Sequence, residues 1–90
     1  MLHISIKIGQ TLVVDGTRYQ LREVDSLNGG AKMKITTPCG TSEERWAFIG
    51  ADSLAIDENA ELAMHSIAPD FVTYAKFTLI SDRIHDVTFP

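Results

Sequence analysis

Residues 1–14 read MLHISIKIGQTLVV, and the alternation in this stretch decides the fold class. Leu2, Ile4, Ile6 and Ile8 fall on one face of an extended chain, His3, Ser5 and Lys7 on the other. That period of two is the signature of a half-buried strand. Gly9 interrupts it, and Thr11 to Val14 starts a second strand. Asp15-Gly16, the dipeptide most typical of a tight hairpin turn, then hands the chain to a third strand, Thr17 to Asp25. In that strand Tyr19 and Leu21 oppose Arg18, Gln20 and Arg22, until Asn28-Gly29-Gly30 breaks the pattern. Ala31 to Thr37 sets Met33 and Ile35 against Lys32, Lys34 and Thr36. Beyond a loop marked by Pro38, Gly40 and Ser42, the segment Arg45 to Ile49, with Trp46 and Phe48, reads as another strand.

The segment 52–68 admits two periodicities. As a helix, Asp57 caps its start, Glu58 and Glu61 complement the positive end of the dipole, and Ala60, Ala63, Met64 and Ile67 form an apolar stripe that Pro69 ends. As a hairpin, Leu54 to Ile56 and Glu61 to Ile67 are strands around an Asp57-Glu58-Asn59 turn. Alanine and glutamate are good helix formers and β-branched residues are scarce here, which favours the helix. Phe71 to Ile80 is a strand rich in Phe, Val, Thr and Tyr. Arg83 to Phe89 is expected to be the last strand, paired with it through Ser81-Asp82. The connections are too short for parallel crossovers. The fold expected is therefore mainly β (β-rich α+β), a small antiparallel sheet or barrel of about six to seven strands with one helix. With no repeat or linker, residues 1–90 are expected to form a single domain.

The chain of 90 residues is 44% hydrophobic, within the range of a globular protein that folds alone. The single cysteine, Cys39, has no internal partner for a disulfide. The opening residues lack a basic segment followed by an apolar core, so no signal peptide is expected and a cytoplasmic location follows. No apolar run approaches the roughly 20 residues needed to span a bilayer, so no membrane partner is expected. The net charge of −4 is unevenly spread. Up to Ser42, Lys7, Arg18, Arg22, Lys32 and Lys34 outweigh Asp15, Glu23 and Asp25, whereas nine carboxylates from Glu43 onward face only Arg45, Lys76 and Arg83. A polyanion should favour the first half and a basic protein surface the second.

The first half also resembles a known family, the small RNA-binding carbon storage regulators. They open with Met-Leu and a strand, then Lys, an aliphatic residue, Gly, an acid or amide, a hydroxyl residue and an aliphatic run. These positions read here Met1, Leu2, Lys7, Ile8, Gly9, Gln10, Thr11 and Leu12 to Val14. The resemblance continues through Ala31-Lys32-Met33-Lys34-Ile35-Thr36-Thr37-Pro38 to Arg45 and covers Met1 to Phe48. It implies an intertwined dimer whose RNA-binding edge joins the first strand of one subunit to the segment around Arg45 of the other. Ile4, Lys7 and Arg45 are the RNA-binding residues it carries over.

Independently of the family, antiparallel pairing of the third and fourth strands would place Arg18, Arg22, Lys32 and Lys34 on one sheet face, with Gln20 and Thr36 between them. An ordinary solvated face competes with nucleic-acid contact there, because RNA usually requires stacking planes as well as charge and Tyr19 points away. His3, His65 and His85 fit no metal-ligand spacing; Asp82, His85 and Asp86 come closest, but alternate on a strand. No catalytic motif, metal or cofactor is expected, Cys39 lacks a partner that would activate it, and the chain reads as a non-enzyme. Trp46, Phe48, Phe71, Tyr74 and Phe77 are first claimed by core packing, with Tyr74 placed beside Val72 and Ile80 on an apolar face for a partner subunit to cover.

The leading expectation is a dimeric regulator that binds single-stranded or hairpin RNA. The competing one is a protein-binding module, such as an inhibitor from a mobile element, whose acidic half mimics nucleic acid. Glu43, Glu44, Asp57, Glu58 and Glu61, with Tyr74, would carry that binding.

Overall fold

The alternation of the opening residues becomes β1 (Leu2–Lys7), in which Ile4 and Ile6 are buried while His3, Ser5 and Lys7 are exposed. The structure, a computed structural model, describes residues 2–69 and 73–90. The further strands are β2 (Thr11–Val14), β3 (Thr17–Asp25), β4 (Gly30–Thr36), β5 (Ser42–Phe48), β6 (Leu54–Asp57), β7 (Ala60–Pro69), β8 (Thr73–Ser81) and β9 (Val87–Thr88). They form two antiparallel sheets, a four-stranded one in the order β1-β8-β7-β6 and a five-stranded one in the order β5-β4-β3-β2-β9.

One core joins the sheets. Ile4, Ile6, Leu54, Leu62, Met64, Ala75, Phe77 and Leu79 come from the four-stranded sheet, and Leu12, Val14, Tyr19, Leu21, Ala31, Met33 and Ala47 from the five-stranded one. Each set occupies alternate positions of its strands, so each sheet buries one face against the other and turns its second face outward. A fully buried aliphatic or aromatic side chain contributes about 1.5–3 kcal/mol, and Phe77, Leu21 and Leu62 are wholly enclosed.

The β2–β3 turn matches its sequence signature. Asp15 and Gly16 take φ values of 50° and 84°, the pair of positive angles that lets a two-residue turn follow the right-handed twist of its strands. Gly30 meets a different demand: a Cβ built there would lie 2.5 Å from the Phe48 ring. Only a glycine lets that ring cover the neighbouring strand.

Three expectations are corrected. The described residues form nine strands in two sheets, not six to seven in a single sheet or barrel, because a hairpin takes the place of the expected helix. Residues 54–69 form the β6–β7 hairpin and not a helix: Leu54 pairs with Leu62, and the turn comprises Glu58 and Asn59. Ala60, Leu62 and Met64 are buried in alternation, and β7 lies between β6 and β8 as an inner strand. Backbone pairing on both sides and burial of Leu62 and Met64 outweigh the few tenths of a kcal/mol per residue by which alanine and glutamate prefer a helix. The last strand is also shorter and elsewhere than expected, since Val87–Thr88 pairs with β2 and not with β8. The chain therefore crosses from one sheet to the other after Ser81. Phe71 and Val72 lie outside the described residues. Among the described residues no helix is long and apolar enough to cross a membrane.

Candidate functional site

The outer face of the five-stranded sheet carries the cationic cluster. Antiparallel pairing sets Arg18 opposite Thr36 and Gln20 opposite Lys34, as expected. A bulge between Leu21 and Glu23 then shifts the register, so that Glu23 and not Arg22 faces Lys32. Two consecutive residues of a bulged strand oppose one on its partner, and Arg22 stays near this face, where it donates to Gln20 Oε1 at 3.1 Å. Arg18, Arg22, Lys32 and Lys34 are thus brought together.

The bulge also brings in a carboxylate. Lys32 Nζ lies 3.1 Å from Glu23 and 3.6 Å from Glu44. The hydrogen bond to Glu23, and then the charge of Glu44, raise the Lys32 pKa. Lys32 therefore stays protonated with its charge countered by two carboxylates, whereas Arg18, Arg22 and Lys34 form no ion pair among the described residues.

The same face holds aromatic surface that sequence reasoning missed. In β5, Trp46 stands opposite Lys32 and Phe48 opposite Gly30. Their rings stack with centroids 5.7 Å apart and planes at 15°, and Lys32 Nζ lies 5.9 Å from the Trp46 centroid, within range of a cation–π contact. Trp46 keeps 37% of its surface exposed. The signal was present in the alternation of Glu44, Trp46 and Phe48, but only the β4–β5 register shows that this set shares the face of Lys32 and Lys34.

The other candidates are dispersed. Arg45 pairs with Met33, whose side chain enters the core. It therefore projects from the opposite face of β5, 3.9 Å from Glu43. Ile4 is 4% exposed and part of the core. Lys7 lies in the other sheet, at the end of β1 opposite Tyr74, which is half-buried.

The acidic candidates do not converge either. Glu43 and Glu44 are neighbours on a strand and face opposite ways. Asp57 pairs with Arg83, Glu61 accepts a 2.7 Å hydrogen bond from Ser53, and Glu58 is exposed in the β6–β7 turn. The Asn59 backbone N–H, followed by Arg83, holds the Asp57 carboxyl below the usual range.

Three further groups of reactive side chains stand apart. His3 and His65 meet edge to face on the outer side of the four-stranded sheet, with centroids 5.1 Å apart. Hydroxyls of Thr37 and Thr41 lower the pKa of the exposed Cys39 thiol. His85 bridges Ser81 and Asp15, which are far apart in sequence. No sequence spacing signals that last contact, because it forms only when the chain crosses between sheets. Among the described residues no three His, Cys, Asp or Glu side chains are grouped to hold a metal ion. In comparisons with known proteins the chain matches no family model, no curated protein and no solved structure.

Proposed function

We propose that the protein binds single-stranded RNA on the outer face of its five-stranded sheet. The observation that carries this reading is the partly exposed Trp46, stacked on Phe48 beside Lys32 and on the face that displays Arg18, Arg22 and Lys34. Base stacking on an aromatic platform contributes about 1–3 kcal/mol per base, and cations alongside it follow the phosphates. The arginines add planar groups that stack on bases as well as pair with phosphate. Resemblance of the first half to the carbon storage regulators points to the same ligand, although it implies contact at Ile4, Lys7 and Arg45, of which Ile4 is buried. The acidic alternative has less support, since Asp57, Glu61, Glu43 and Glu44 already have partners within the chain.

The single tryptophan provides a direct test. Titration with a short single-stranded RNA should quench Trp46 fluorescence, and affinity should fall with salt. Neutralising three phosphates corresponds to a slope of about −2 in log affinity against log salt. Trp46→Ala should weaken binding about 10- to 100-fold, the stacking contribution of a single base, while Arg45→Ala leaves it unchanged. Loss of binding in Arg45→Ala alone would move the interface to the family's edge, and absence of binding in the wild type would remove the proposal.

A further inference from the structure

We propose that Ser81 is an acylatable nucleophile and that the cavity beside it accepts small carboxylic esters with an apolar acyl group. Ser81 Oγ lies 2.7 Å from His85 Nε2, and His85 Nδ1 lies 2.6 Å from Asp15 Oδ2. This is the nucleophile, base and orienting carboxylate arrangement of acyl-transfer sites, in which each member is within hydrogen-bond reach of the next. The Asp15 carboxylate only accepts, so the imidazole donates from Nδ1 and its Nε2 is left to receive the Ser81 proton. The second Asp15 oxygen accepts the Asp86 backbone N–H at 3.0 Å, which fixes the carboxylate. The His85 side chain is fully enclosed, whereas Ser81 is partly exposed. Both border a cavity of about 240 Å³ whose other walls are Leu2, Leu79, Arg83, Ile84 and Val87.

The position of these groups explains why they form a unit. β8 ends at Ser81, the crossing segment carries Arg83 and His85, and pairing of β9 with β2 holds that segment against the Asp15 turn. The Arg83 N–H donates to Ser81 Oγ at 3.2 Å. The Arg83 guanidinium also borders the cavity, held by Asp57 and Asp15.

The chemistry closes on these residues and water. Ser81 Oγ attacks the ester carbonyl carbon as its proton passes to His85 Nε2, and Asp15 stabilises the imidazolium. Collapse breaks the carbon–oxygen bond to the leaving alcohol, which takes the proton from Nε2 and departs, leaving an acyl ester on Ser81. Water then attacks the acyl carbon and gives a proton to Nε2. Collapse releases the carboxylic acid and returns the proton to Oγ.

The test is covalent labelling of the folded protein with a fluorophosphonate, mapped by peptide mass spectrometry, together with the initial burst from 4-nitrophenyl acetate. One phosphonyl group per chain is expected on Ser81, absent in Ser81→Ala and in urea-unfolded wild type. Asp15→Asn should label at least 10-fold more slowly, because an amide donating to Nδ1 leaves the proton on Nε2. No adduct on Ser81, or wild-type labelling in a folded Asp15→Asn protein, would show that the three side chains only fasten the crossing segment. If Asp15→Asn does not fold, the wild-type adduct decides, and equal labelling of Ser81 in the urea-unfolded protein overturns the proposal. RNA binding is independent of either outcome, since the residues on the RNA-binding face take no part.

Discussion

The two sheets share a core but turn unlike faces to solvent. The five-stranded sheet displays Arg18, Arg22, Lys34 and the Lys32–Trp46 pair. The four-stranded sheet displays Ser5, Lys7, the His3–His65 pair and Ile80. Both have the same inward alternation, so burial cannot distinguish them. What differs is the coincidence of several positive charges with an exposed aromatic ring, the combination that single-stranded nucleic acid requires.

The most severe challenge to this comparison is to remove what the sheets have in common. Phe77→Ala, at the centre of β8 between β1 and β7, should cost about 3–5 kcal/mol. Trp46 fluorescence reports on the five-stranded sheet and far-ultraviolet circular dichroism on both. In urea the two signals should shift together to lower midpoints; separate transitions would mean that the sheets are not one cooperative unit.

A sharper test acts on one face alone. Gly30→Ala sets a methyl group against the Phe48 ring, and such overpacking typically costs about 1–3 kcal/mol. The Trp46–Phe48 stack should be displaced, with a lower melting temperature and RNA affinity reduced several-fold. Retention of wild-type affinity would dissociate the stack from binding.

Charge separates the faces more finely. Lys34→Ala should lower the magnitude of the salt slope by about 0.7, the value of one phosphate contact on a single strand. Lys7→Ala, on the other sheet, should leave the slope unaltered. The reverse pattern in RNA titrations at several salt concentrations would transfer the interface to β1.

The smallest effect concerns the link between the sheets. The hydrogen bond from His85, then the Asp86 N–H, lower the Asp15 pKa from 3.8, and Asp57 is lowered as well. For a carboxyl depressed on folding, the unfolded chain binds the proton more readily. The stabilisation is therefore present above the ordinary carboxyl value and is lost as pH falls through the lower folded one. Melting temperature should decline below about pH 4, and Asp57→Asn should flatten part of that decline. An unchanged acid profile would detach Asp57 from it.

The β2–β3 and β6–β7 hairpins show how much was legible. Asp15-Gly16 requires two positive φ angles, a local demand that its residues meet whatever surrounds them. Asp57-Glu58-Asn59 is followed by residues whose local preference is helical, and Leu62 and Met64 become strand residues only because β8 pairs alongside them. The candidate site divides in the same way. The approach of Arg18, Arg22, Lys32 and Lys34 was readable from two neighbouring strands, whereas the bulge that sets Glu23 against Lys32 and the arrival of Trp46 depended on register.

The amino-acid order alone determined that strands predominate, which faces of β1 to β4 are buried, and where the first tight turn lies, since these follow from side-chain alternation and backbone angles within a few residues. Tertiary structure decided the partition into two sheets, the strand state of residues 60–69, and the meeting of Ser81, His85 and Asp15. Each of these depends on segments distant along the chain, whose pairing is set by burying two faces in one core.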